Sequence, residues 1–157
     1  MKKQVLSIDQ MKNLQSLGLD VSDASMYWVR RSHGSDIRDE SKGKWFLSLQ
    51  KEFMTCGFTS YEVLPTFALQ DILNKLPRYL NPLPSKQIKF AWMIERDAIA
   101  YRNVEDVYDC FKHFIDDSLI GAVYQMLCWC AENGYLKGEL DNAEKLDCGR
   151  INDSGDW

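Results

Sequence analysis

Ile88-Lys89-Phe90-Ala91-Trp92-Met93-Ile94-Glu95 alternates strictly. Ile88, Phe90, Trp92 and Ile94 take one face, and Lys89, Ala91, Met93 and Glu95 take the other. That period of two predicts a strand. Ala98 to Arg102 follows closely enough to pair with it as a hairpin. A hairpin makes the pairing antiparallel, and the rest of the chain is read outward from it.

Upstream, Ser25 to Arg31 reads as a strand, with Met26, Trp28 and Arg30 on one face and Tyr27, Val29 and Arg31 on the other. Its aromatic and β-branched content suits a pleated, half-buried surface. Ser32 to Gly43 is polar and predicts a long loop. Lys44 to Leu49 returns as a strand with Trp45, Leu47 and Leu49 on one face. Tyr61 to Leu64 is a third strand, expected to stop at Pro65. Thr66 is expected to cap a short helix carrying Leu69, Ile72, Leu73 and Leu76, ended by Pro77.

The chain opens on a helix from about Ile8 to Leu17. Ser7-Ile8-Asp9-Gln10 has capping-box form, with Leu6 and Met11 as a hydrophobic staple. Gly18 supplies the left-handed stop. Downstream of the central hairpin, Val107, Tyr108, Phe111, Phe114 and Ile115 sit at helical spacing, while their aromatic content would suit a strand; Val104 to Ile115 is left open between the two, with helix the preferred reading. The last helix carries Leu119, Ile120, Val123, Tyr124, Met126, Leu127 and Cys130 on a broad face. Asp117 or Ser118 caps it, and Asn133-Gly134 closes it. Such breadth predicts a helix packed centrally on a sheet.

The order is α-β-β-β-α-β-β-(α)-α. It predicts an α+β fold: an antiparallel sheet of about five strands in hairpins, with two to four helices packed on one side. Residues 1–138 are expected to form a single domain. Residues 139–157 are expected to be an acidic, flexible tail. The net charge of −4 sits there. Six acids (Glu139, Asp141, Glu144, Asp147, Asp153, Asp156) face two bases (Lys145, Arg150). Of 19 basic and 23 acidic residues in all, that leaves the body balanced at 17 and 17. A neutral body carries no electrostatic footprint for nucleic acid.

Three stretches together carry a resemblance. They are Leu6-Ser7-Ile8-Asp9-Gln10-Met11 with Leu17-Gly18-Leu19-Asp20, then Pro65-Thr66-Phe67-Ala68-Leu69-Gln70-Asp71-Ile72-Leu73, then Ala122-Val123-Tyr124-Gln125-Met126-Leu127-Cys128-Trp129-Cys130-Ala131-Glu132-Asn133-Gly134-Tyr135. Over most of residues 6 to 136 the chain resembles a group of small proteins carried by phages and mobile elements of gut anaerobes. The resemblance implies an accessory role and transfers no functional residue.

The chemistry-bearing residues form no catalytic pattern. Five cysteines without an export signal argue against a disulfide framework, and the expected location is the cytoplasm. No membrane span is expected. Cys128 and Cys130 are two apart on a helix and cannot share an ion, so no metal is expected. Cys110 and His113 would meet on a helix but lack an orienting third group. Phosphate-binding glycine loops are absent, and no cofactor is expected.

The candidate interaction surface is Tyr27, Trp28, Arg30, Arg31, Trp45 and Trp92. Tryptophans on strands become exposed if helices cover only one sheet face, and exposed aromatic patches mark interfaces. The expected function is a non-catalytic accessory module that binds a protein partner or forms a homo-oligomer. The alternative is a nucleic-acid-associated module using the Tyr27–Lys44 hairpin, where aromatics mix with Arg38, Lys42 and Lys44. An uncatalogued enzyme ranks third.

Overall fold

The computed structural model describes residues 4–33, 43–52 and 59–136. In chain order the elements are α1 (Ile8–Ser16), β1 (Met26–His33), β2 (Phe46–Ser48), β3 (Thr59–Thr66), α2 (Leu69–Lys75), β4 (Tyr79–Leu80), β5 (Phe90–Glu95), β6 (Ala98–Asn103), β7 (Cys110–Ile115) and α3 (Leu119–Glu132). A single 3-10 turn, Pro84–Lys86, precedes β5. The class is α+β with antiparallel pairing throughout. The expected sheet of about five strands is instead two sheets, ordered β2-β1-β3 and β4-β5-β6-β7. Alternation tells which residues share a face, but not which strand pairs with which. The chain clusters into two compact units, Met1–Leu73 and Asn74–Trp157, with the division inside α2.

In the first unit, α1 forms where its caps demand. The Ser7 hydroxyl accepts from Gln10 N (3.2 Å), and Ser7 N donates to the Gln10 side-chain oxygen (3.0 Å), a complete capping box. At the other end Gly18 has φ 88°, Gly18 N donates to Gln15 O and Leu19 N to Leu14 O, a Schellman closure. Leu6 and Met11, the staple pair, are both buried. Ser7→Ala is expected to cost about 1 kcal/mol of stability. A urea midpoint that does not move would contradict that role.

β3 runs through Pro65 to Thr66 rather than stopping at Leu64. It is an edge strand, and an edge tolerates a residue without an N–H. Thr66 does not cap α2. Its hydroxyl donates to Leu6 O (2.8 Å), while Asp71 holds the helix start by accepting from Ala68 N (2.8 Å). The expected strand Lys44–Leu49 is trimmed to Phe46–Ser48. β1 takes in Ser32 and His33, the first two residues of the expected loop, and residues 34–42 lie outside the described residues.

In the second unit, β5 and β6 form the expected hairpin with Trp92 opposite Tyr101 and Ile94 opposite Ile99. Of the two readings of Val104–Ile115, the strand holds and the preferred helix does not: Cys110–Ile115 is strand β7, antiparallel to β6. The register shifts at Tyr101/Arg102, so two residues of β7 oppose one of β6. This bulge explains an otherwise odd geometry. Consecutive residues Phe111 and Lys112 both reach the same indole, with ring centroids 5.8 Å apart for Phe111–Trp129 and the Lys112 Nζ 5.6 Å over Trp129. A regular strand would send them to opposite faces.

α3 packs on β6 and β7. Ser118 caps it by accepting from Gly121 N (3.2 Å), and Gly134 (φ 76°) with Tyr135 N donating to Cys130 O closes it. Ile120, Val123, Met126, Leu127 and Cys130 are buried. Each large apolar side chain among them contributes roughly 1.5–3 kcal/mol. A Cβ at Gly121 would strike the Asp116 carboxylate, which would have to swing aside.

Candidate functional site

Five of the six sequence-derived surface residues fall in the first unit. Trp28 and Arg30 share one face of β1, opposite Leu64 and Glu62 of β3. Trp28 is half-buried, and its indole N–H donates to Leu6 O (2.9 Å). It is therefore a strut between β1 and the segment leading into α1. Arg30 is held twice: its Nε lies 2.7 Å from Glu62 Oε2, and its guanidinium stacks 4.5 Å over the Trp45 ring. Partly buried and paired, this cation, with its tryptophan, serves the sheet before any ligand. The Tyr27 hydroxyl donates to Ala24 O (3.2 Å), and Arg31 is exposed. Arg38 and Lys42 lie outside the described residues. Trp92, half-buried on β5, belongs to the second unit, so the structure does not gather the six into one patch.

The second unit has the more open apolar surface. By register, Met93, Ala100 and His113 form one row across β5, β6 and β7, and Glu95, Ala98 and Ile115 the next. This face is opposite the one carrying Tyr101 and Lys112 beneath α3. Met93 and Ile115 are exposed, Ile115 at 68%. The charges flanking them neutralise each other, with Arg102 Nη2 2.7 Å from Glu95 and Arg102 Nη1 donating to Val107 O (3.1 Å). The β6–β7 loop adds Val104, Val107 and Tyr108, the last 92% exposed. β7 is the last strand of its sheet, so among the described residues its outer edge has no partner. An edge strand offers a row of N–H and C=O groups to another chain.

The edge is not picked out from sequence because the helical spacing of Phe111, Phe114 and Ile115 is preferred over their strand-like composition. A signal was present: Phe111, Phe114 and Ile115 interleave with Lys112 and His113, a composition that suits a half-exposed strand.

Two cavities open on the units. One, of about 520 Å³, is lined by Asn81, Gln87, Ile88, Lys89, Asn103, Val104 and Glu105. Part of its polar lining is engaged internally: Asn103 Nδ2 donates to Asp109, Asn103 Oδ1 accepts from Glu105 N, and Val104 N donates to Lys89 O. The other, of about 380 Å³, has Val21, Val63 and Pro65 beside Tyr27, Ser22, Asp20 and Lys51. Neither converges a nucleophile, a base and an orienting group. Among the described residues no three His, Cys, Asp or Glu side chains cluster to hold a metal ion. Cys128 is half-buried and Cys130 buried on α3. Cys110 and His113 lie on a strand, where the three-residue step spans roughly 10 Å, so the helical contact expected between them is not made. No helix among the described residues is long and apolar enough to cross a membrane. Compared with known proteins, the chain matches no family model, no curated protein and no solved structure.

Proposed function

We propose that the chain is a non-catalytic accessory module that works by binding protein, either another chain or its own copy, through the β7 edge of the four-stranded sheet. The observation that carries this reading is the coincidence on one strand of an edge unpaired among the described residues and exposed apolar side chains, with Ile115 foremost. Strand addition to such an edge supplies main-chain hydrogen bonds for affinity and side-chain pockets for specificity. The neighbouring Val107 and Tyr108 extend the apolar surface. The resemblance to small proteins of phages and mobile elements supports an accessory role.

Ile115→Lys tests the surface. The residue is largely exposed, so the substitution is expected to change stability by less than about 0.5 kcal/mol. The full-length chain and this variant are immobilised and exposed to nuclease-treated extract of the native host. A protein retained by the parent and depleted about tenfold by the variant is the expected result. Equal retention by both would remove β7 from the binding surface. Partners that vanish with nuclease would instead move the function to the Tyr27–Lys44 hairpin.

A further inference from the structure

We infer that the occupant of the β7 edge is a second copy of this chain, paired antiparallel to β7 about a two-fold axis at Phe114; this rests on the binding role proposed above.

The backbone sets which groups are available. Asp116 N donates inward to Asp97 O (3.2 Å), and direction alternates along a strand. The N–H and C=O groups of His113 and Ile115 therefore point to the outer edge. Four antiparallel registers centred within Lys112–Ile115 set outward residues opposite each other, and charge chooses among them. Centring on Ile115 moves Lys112 away from Asp116 to lie opposite Ser118, where α3 begins. Centring on Lys112 places two lysines face to face. Centring on His113 places Lys112 opposite Phe114 of the second copy, with no ionic gain. Centring on Phe114 places Lys112 opposite Asp116 of the second copy, and the symmetry makes that pair twice. The same register exchanges about four backbone hydrogen bonds between His113 and Ile115 of the two copies, and sets Phe114 against its own equivalent.

The helices fit this arrangement. Lys112, Phe114 and Asp116 lie on the face bearing α3: the Lys112 Nζ is 5.0 Å over Phe114 and 5.6 Å over Trp129, and Asp116 accepts from Gln125 Nε2 (3.3 Å). α3 packs on β6 and β7 alike. With strands about 4.8 Å apart, the two copies of α3 then lie about 10 Å apart on the same face. Helices pack at about 8–10 Å. The bulge at the start of β7 ends regular pairing, so the contact is limited to Lys112–Asp116 and closes as a dimer rather than a fibre.

Cysteine cross-linking of the full-length chain reads the register directly. Residues at a non-hydrogen-bonded two-fold have Cα atoms about 4.5 Å apart, within disulfide range. Phe114→Cys is expected to give a covalent dimer under mild oxidation, with Lys112→Cys and His113→Cys no more cross-linked than the parent. Cross-linking by either of the latter instead would overturn the register. Sedimentation of the purified chain provides the arm that does not depend on Phe114→Cys folding. The parent is expected at twice the chain mass, Lys112→Asp with a dimer dissociation constant raised about tenfold, and His113→Pro as monomer. His113→Pro removes only an outward donor, so its ladder to β6 is kept. A monomeric parent, or a dimer indifferent to both variants, would overturn the inference. If the parent is monomeric while a host protein is still lost with Ile115→Lys, the binding role stands and the second copy is excluded.

Discussion

Phe67→Ala is expected to cost about 3–5 kcal/mol and to leave the first unit barely folded. The side chain is fully buried where β3 passes into α2. Its backbone ties three segments together: Phe67 N donates to Met11 Sδ (3.3 Å), and Phe67 O accepts from Leu6 N (3.0 Å). Truncation removes the transfer energy of the ring and leaves a cavity between β3 and α1. Small domains are stable by only about 5–15 kcal/mol, so this is a large share. Hydrogen exchange followed by mass spectrometry is the direct measurement. Protection of β1 and β3 peptides is expected to fall by about two to three orders of magnitude. Phe67→Leu, which conserves more volume, should cost less than Phe67→Ala. Unchanged protection in the alanine variant would mean that Phe67 is not central to this core.

Tyr101 is the corresponding anchor of the second unit, and two substitutions separate its parts. Its ring is fully buried on β6, opposite Trp92 and Lys112, and its hydroxyl donates to Pro77 O at 2.6 Å. Tyr101→Phe keeps the packing and strands a buried carbonyl, at an expected cost of about 1–3 kcal/mol. Tyr101→Ala also opens a cavity and is expected to cost about 3–5 kcal/mol or more. Urea unfolding followed by β5–β6–α3 peptide exchange checks both. Equal effects of the two variants would assign the whole role to the hydrogen bond. A silent Tyr101→Phe would assign it to packing.

Much of the fold was legible because it is encoded by short-range chemistry. Ser7 with Gln10, Gly18 after α1, and Ser118 and Gly134 around α3 act through bonds within one turn of the residue concerned. The alternation from Phe90 to Glu95 is likewise local, and β5–β6 formed as read. The failures share a different cause. Phe111, Phe114 and Ile115 fit a helical stripe because a β-bulge turns Phe111 toward α3 and breaks the period-two pattern that would have marked a strand. Pro65 reads as a stop, yet β3 passes through it because β3 is an edge.

The surface residues divide along the same line. Sequence alone brought Trp28, Arg30 and Trp45 to one sheet, but their exposure depended on neighbours distant in the chain. Trp28 meets Leu6, 22 residues away, and Arg30 meets Glu62, 32 residues away. Those partners turn an apparent aromatic and cationic surface into internal bracing. Ile115, read at helical spacing, lies instead exposed on the last strand of a sheet.

By itself the sequence determined the ends of α1 and α3, the central hairpin, the antiparallel α+β class and the acidic bias of the final residues. Each depends on interactions between residues close along the chain, or on composition alone. Only the tertiary structure decided that the seven strands among the described residues form two sheets, that β7 ends one of them there, and which side chains that edge exposes. Strand order and burial are set by the free energy of long-range pairing, which no local pattern contains.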